Sequence, residues 1–264
     1  MPSTQVVILC GGYGTRIREY PDLVAKPMVP VGQKPILWHI MKSYSHYGFN
    51  DFIICLGFRA LSIRSFFQNF AMLTNNVTLN LNSSTSQIAE NFGADDLNWK
   101  VTLVDTGLDT LTGGRVKRVE PFIKSDTFFV SYGDTLCDIN FKQQLEYHQT
   151  SKAEVTITGV NQTSRFGHIS MDSKGLVQKF IEKPMLADVV SGGFFVMNKS
   201  FLKRLGDDTT QLESEPLQSA SKDNKLYCYH HKGFWACMDT YREYEMLNKM
   251  YESGDAPWVK WKDQ

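Results

Sequence analysis

Apolar, β-branched runs alternate along this chain with stretches whose apolar residues recur at helical spacing. Gln5–Cys10 reads as a buried first strand. The segment 36–47 places Ile36, Leu37, Ile40, Met41 and Tyr44 on one helical face, with Pro35 at the first turn and Gly48 at the end. A second strand is expected over Asp51–Gly57 and a second helix over Ala60–Phe70. Further strands are expected over Asn76–Asn82, Lys100–Asp105, Phe128–Tyr132, Glu154–Val160, Gly193–Met197 and Leu226–His230, with another closing at Phe180–Pro184. Helices are expected from Thr112, over Phe141–Thr150 and over Tyr241–Ser253, where Gly254 is a plausible cap. The polar stretch Ser83–Asn98 reads as a long loop: a flap, an oligomer contact or a plain surface segment. This alternation predicts βαβ units in one α/β domain over residues 1–264, a Rossmann-like arrangement with a mixed, mainly parallel sheet flanked by helices.

Composition narrows the partners. The chain has 264 residues, enough for a sizeable core, and its 28 basic and 28 acidic residues cancel. A neutral total argues against a nucleic-acid partner, which calls for a basic surface. No apolar run approaches a membrane span. The five cysteines (Cys10, Cys55, Cys137, Cys228, Cys237) show no C-x-x-C spacing, so reduced thiols in a cytoplasmic protein are expected, most of them small core residues.

The chemistry starts where the first strand ends. Leu9-Cys10-Gly11-Gly12-Tyr13-Gly14-Thr15-Arg16 is a Gly-rich turn running into an arginine, and Lys26-Pro27-Met28 follows. Backbone without Cβ approaches a phosphate closely and points N–H groups at it. Arg16 adds a planar fork and Lys26 a compact charge. A dinucleotide fingerprint is excluded because its third glycine position holds Ile17, and a P-loop because Gly14 is followed by Thr15-Arg16. The expected occupant is a nucleoside triphosphate, with a phosphorylated acceptor brought beside it. Asp134 ends the Phe128–Tyr132 strand, where open α/β sheets bind ligands, and suits Mg²⁺ among phosphates.

With Lys34-Pro35-Ile36-Leu37-Trp38-His39, Val101–Gly107, Thr112-Gly113-Gly114-Arg115, Tyr132-Gly133-Asp134, Glu182-Lys183-Pro184, Gly192-Gly193-Phe194 and Phe234-Trp235-x-x-Met238-Asp239-Thr240, the chain resembles the sugar-phosphate nucleotidyltransferases, and among them the glucose-1-phosphate cytidylyltransferases. The likeness runs from about Val6 to Trp261. It implies the nucleotide-diphospho-sugar transferase fold, with a nucleotide-binding half over about 1–135 and an acceptor-binding half over about 136–264. It implies transfer of a cytidylyl group from CTP to a sugar 1-phosphate, most simply glucose 1-phosphate, with Mg²⁺ as cofactor and a homo-oligomeric assembly. By the same resemblance, Arg16 and Lys26 are catalytic. Leu9, Cys10, Gly11, Gly12, Tyr13, Gly14, Thr15, Thr110, Arg115 and Gly133 bind the nucleotide. Gly167, Glu182, Lys183 and Gly193 bind the acceptor, and Asp134 and Asp239 hold the metal. For Asp239 a second assignment stays open, the N-cap of the helix beginning at Tyr241. Arg115 has a second assignment too, an ordinary surface residue. Asp138 reads as a helix cap.

The departures from the glucose enzymes cluster on the acceptor side. Ser191 stands where they carry Asn, Leu212 near a Trp, Ala236-Cys237 for Gln-Pro, and His168 for Ala. Cytidylyl transfer is therefore the firmer expectation, with another sugar or polyol phosphate as the alternative acceptor. Two readings of other classes are a non-catalytic nucleotide-sensing subunit, which would have lost the metal or lysine positions, and a nicotinamide-dependent oxidoreductase. The six histidines show no metal spacing; His39 reads as a packed core residue and His168 as a candidate acceptor contact.

Overall fold

A computed structural model of the chain describes residues 3–14, 24–74, 76–80, 85–88, 97–164 and 166–261. β1 (Val6–Leu9) is followed by a short ribbon, β2 (Pro30–Val31) and β3 (Lys34–Pro35), and by α1 (Ile36–His46). Next come β4 (Asp51–Leu56), α2 (Ala60–Gln68), α3 (Phe70–Thr74) and a second ribbon, β5 (Val77–Asn80) with β6 (Thr85–Ile88). Then follow β7 (Lys100–Asp105), α4 (Thr112–Arg118), β8 (Thr127–Tyr132), β9 (Thr135–Cys137) and α5 (Phe141–Thr150). The chain continues through β10 (Val155–Thr163), β11 (His168–Met171), β12 (Val177–Ile181), β13 (Met185–Asn198) and α6 (Glu215–Lys222). It closes with β14 (Leu226–His231), β15 (Trp235–Cys237) and α7 (Tyr241–Glu252).

The central sheet has seven strands in the order β14-β10-β13-β8-β1-β4-β7. The pairings β8–β1, β1–β4, β4–β7 and β10–β14 are parallel, and β13 runs antiparallel to both β8 and β10. This is the mixed, mainly parallel sheet expected from the alternation. Because strand side chains alternate faces, each central strand feeds two cores. Val6 and Ile8 join Phe52, Ile54, Phe129 and Val196 on one face, under α1, α5 and α7. Val7 and Leu9 join Ile53, Phe128, Val130 and Phe195 on the other, under α4 and α6. On the first face Phe141 stacks on Tyr44 with ring centroids 3.8 Å apart.

Two expectations change. Thr85–Ile88, placed in a loop, pairs antiparallel with β5; the rest of Ser83–Asn98 up to residue 96 lies outside the described residues. Asp138 does not cap α5. Asn140 does, its side chain accepting from the Gln143 N–H at 3.2 Å. Asp138 instead faces His231 Nε2 at 2.9 Å and Lys260 Nζ at 3.7 Å.

His39 is the packed core residue its apolar helix face predicts. It is fully buried, donates from Nε2 to the Val31 carbonyl at 2.9 Å and accepts from the Trp258 indole at Nδ1. Burial, helped by the charge of Lys34 and opposed by the Val31 bond, lowers its pKa from 6.5 to about 4. The unfolded chain therefore binds the proton first as pH falls. The neutral imidazole's contribution is complete above pH 6.5 and is lost between 6.5 and 4, at most about 3 kcal/mol. Urea midpoints measured across that window should fall more steeply for the natural chain than for His39→Gln; parallel slopes would show that His39 is not the titrating group.

Candidate active site

β1 is the strand from which the parallel sheet runs both ways, to β4 and to β8, so its carboxyl end is a switch point where a crevice opens. A cleft of about 520 Å³ lies there, within the usual range for small-molecule sites. It is lined by Leu9, Cys10, Gly11, Gly12, Tyr13 and Gly14 after β1, by Lys26 and Pro27, by Leu108 to Thr112 with Arg115, by Tyr132, Gly133 and Asp134 after β8, and by Asp239. All the described residues expected to meet nucleotide or metal are in that set. Thr15 and Arg16 lie outside the described residues. Leu111 and Thr112 fall in the segment from Thr110 to Arg115 expected to recognise the base. Pro27 and Tyr132 stand in quoted motifs without an assigned role, and Leu108 and Asp109, just before that segment, were not anticipated.

Arg115 is buried, not at the surface. Its Nη1 donates to the Leu56 carbonyl (3.2 Å), Thr106 Oγ1 (2.8 Å) and the Gly107 carbonyl (2.7 Å). Its Nη2 donates to the Gly11 and Leu108 carbonyls, both at 3.0 Å. One guanidinium thus ties the Gly-rich turn to the ends of β4 and β7. Burial lowers its pKa, yet an arginine stays charged under these conditions. Gly11 must lack a Cβ because one would fall on that guanidinium; at Gly12 nothing lies within 4 Å. Gly133 is equally constrained, with Cys10 Sγ 2.8 Å and the Leu9 carbonyl 3.0 Å from where its Cβ would stand. Part of the turn's backbone is already used. The Leu9 carbonyl accepts from Gly133 N–H, Cys10 N–H donates to Cys55, and the Gly11 carbonyl accepts from Phe58 N–H.

At the other end of the cleft, Lys26 Nζ stands 2.5 Å from both Asp134 Oδ2 and Asp239 Oδ1. Burial opposes the ammonium, but the two carboxylates outweigh it and raise its pKa. Asp134 and Asp239 meet through the ribbon of β9 and β15, which pairs Thr135 with Cys237 and lets Met238 N–H donate to the Asp134 carbonyl at 2.9 Å. The question left open for Asp239 is answered by its neighbour. Thr240 caps α7, in a capping box with Glu243. The Asp239 carboxylate is thereby released from capping to face Lys26. Among the described residues, Asp134, Cys237 and Asp239 bring three donor atoms within 4.8 Å of one another, a group able to hold a metal ion. Burial first, then the charge of Asp134, push the Cys237 thiol up to about 12.

The expected acceptor residues lie apart from this lining. Glu182 and Lys183 form an exposed pair at 3.4 Å just after β12. Lys183 has φ +46°, a left-handed conformation that costs a lysine free energy. Gly167 sits against Phe180 and Glu182. Gly193, at φ +76°, lies against the ring of Tyr132, which lines the cleft.

Residues 5–263 match the nucleotidyl transferase family. The chain belongs to that family. The nucleotidyltransferase is 40% identical over 97% of its length, and 100% of the relative's, to a protein of Bacillus subtilis named "probable glucose-1-phosphate cytidylyltransferase". It is 39% identical, over 97% of its length and 99% of the relative's, to the glucose-1-phosphate cytidylyltransferase of Salmonella typhi. Its fold resembles that of HddC from Yersinia pseudotuberculosis, at a TM-score of 0.68 and 22% identity, over 94% of this chain and 99% of that one.

The sequence departures of this nucleotidyltransferase now have places. Leu212 is fully buried in the second core, and Ala236 is buried in the first, so both are packing substitutions. His168 is on the exposed ribbon of β11 and β12, 3.0 Å from Ser164 Oγ. Ser191 Oγ accepts from the Gly193 N–H at 3.4 Å. Cys237 stands beside the two aspartates.

Gly11→Ala must expel the Arg115 guanidinium from its set of acceptors, leaving a buried charge with its hydrogen bonds broken, at about 2–3 kcal/mol. Its thermal midpoint should fall by about 5–10 °C, while Gly12→Ala leaves the midpoint unchanged. Equal midpoints for the two variants would refute the clamp.

Proposed function

We propose that this nucleotidyltransferase transfers a cytidylyl group from CTP to a sugar 1-phosphate, with glucose 1-phosphate as the first acceptor, giving a CDP-sugar and pyrophosphate. The observation that carries the reading is the Lys26 ammonium held between Asp134 and Asp239 at the end of a cleft floored by the Gly-rich turn. The choice of CTP and glucose 1-phosphate rests on what the Bacillus subtilis and Salmonella typhi relatives are named for.

An acceptor phosphate oxygen attacks the α-phosphorus of CTP; that P–O bond forms as the bond to the pyrophosphate oxygen breaks. Positioning and neutralisation of charge are the protein's share. We assign Lys26 to the α-phosphate and Arg16, on sequence alone, to the departing pyrophosphate. We assign Leu9 to Gly14, Thr110, Arg115 and Gly133 to the nucleotide, and Thr15 on sequence alone; Arg115 acts by holding the Gly11 carbonyl. Asp134 and Asp239 fit a divalent cation: both offer hard oxygens and both are already gathered around one positive charge. Bound there, Mg²⁺ would neutralise phosphate charge and orient the triphosphate. Lys183, Glu182, Gly167 and Gly193 are assigned to the acceptor, supported by the backbone strain at Lys183. A nucleotide-binding half over about 1–135 and an acceptor-binding half over about 136–264 belong to the same reading, supported by a cleft whose lining comes from the first half except for Asp239. A cytoplasmic homo-oligomer completes the proposal; the five free thiols support the compartment. Among the described residues no helix is long and apolar enough to cross a membrane.

A different sugar or polyol phosphate is the second reading, favoured by His168 and Ser191 on the acceptor side. A non-catalytic role is disfavoured because Lys26, Asp134, Lys183 and Asp239 are all in place.

Pyrophosphate release from CTP and Mg²⁺, read against a panel of acceptor phosphates, tests the proposal. Glucose 1-phosphate should give the highest kcat/KM, and Lys26→Ala and Asp134→Ala should each lose about 100-fold or more. Turnover confined to another phosphate would replace the acceptor. Full activity in either variant would overturn the mechanism.

A further inference from the structure

The two aspartates do not stand alone. Cys237 ends β15, and Asp239 follows two residues on, just beyond the strand. The β9–β15 pairing sets Cys237 opposite Thr135, next to Asp134. The three donor atoms, which flank or end the paired strands, converge within 4.8 Å of one another. A positive charge occupies the same place: Lys26 Nζ, 2.5 Å from each carboxylate.

We propose that Cys237 supplies a third, soft donor that makes the aspartate pair a binding site for a thiophilic divalent ion of the zinc class. An ion centred among donors all within 4.8 Å of one another would lie at most about 2.8 Å from each, so the donors close by no more than about 0.5–0.8 Å to reach zinc bond lengths. Rotations about side-chain bonds cover that distance. Binding replaces the thiol proton, which leaves to solvent, and the ammonium of Lys26 yields its place to the ion. Mg²⁺, which takes oxygen ligands, uses only the two carboxylates. A zinc-class ion thus occupies the catalytic carboxylates in competition with Mg²⁺, and the enzyme becomes sensitive to zinc through one residue. The inference rests on the assignment of Asp134 and Asp239 as cation ligands, not on the identity of nucleotide or acceptor.

The test uses the full chain without nucleotide, titrated with Cd²⁺ and followed by the thiolate-to-cadmium charge-transfer absorption. One equivalent should develop the band, Zn²⁺ should compete it away, and millimolar Mg²⁺ should not. Cys237→Ser should abolish it, whereas Cys228→Ser, which alters the exposed cysteine, should keep it. Outer-shell changes around metals cost 10–100-fold, so losing a direct donor should weaken zinc binding by about 100-fold or more. Asp134→Asn and Asp239→Asn should weaken the band as well. A band that survives Cys237→Ser, or one that survives both asparagine variants unchanged, overturns the three-donor site. A band with the expected pattern in a protein that transfers no cytidylyl group keeps the site and removes the proposed function.

Discussion

One buried guanidinium holds the functional end of this molecule together. Arg115 reaches from α4 to carbonyls at the ends of β4 and β7 and in the turn after β1, adding a side-chain donor to groups where the strand ladders stop. A fork of fixed shape satisfies several of them at once, which a lysine cannot do. The energetic logic is that of any buried charge: desolvation is costly, and only a full set of acceptors offsets it. Carbonyl dipoles supply that set here, with no carboxylate hydrogen-bonded to the guanidinium among the described residues. The Gly-rich turn is therefore shaped before any ligand arrives.

The second charged centre is built on a different principle. Lys26 meets two carboxylates delivered by segments more than a hundred residues apart in sequence, after β8 and after β15. The carboxylates are close because a three-residue ribbon pairs their neighbours, and each would repel the other without a cation between them. Charge balance inside the cleft is thus local, although the chain as a whole is neutral.

The sheet was legible because its central strands β1, β4 and β8 are apolar runs buried on both faces. The bounds of α5 came out as expected although its cap is Asn140 and not Asp138. What escaped was short or defined by partners. β15 has three residues and exists through pairing with β9. β6 is Thr-Ser-Gln-Ile, a polar run with no alternation to mark it. The burial of Arg115 was invisible because no local pattern separates a guanidinium that grips carbonyls from one in water. The cap of α7 could have been read. Thr240 with Glu243 three residues on is a capping-box spacing that Asp239 does not share. The convergence of Cys237 with the aspartates needed the ribbon's register, which no sequence window contains.

The capping box has a wider meaning. Thr240 carries the helix while the residues just before it carry the chemistry, so stability and reactivity are assigned to adjacent but separate positions. The side chain at 237 can then change without unwinding α7. A lineage can retune which ions its catalytic carboxylates attract while the scaffold beneath them stays as it was.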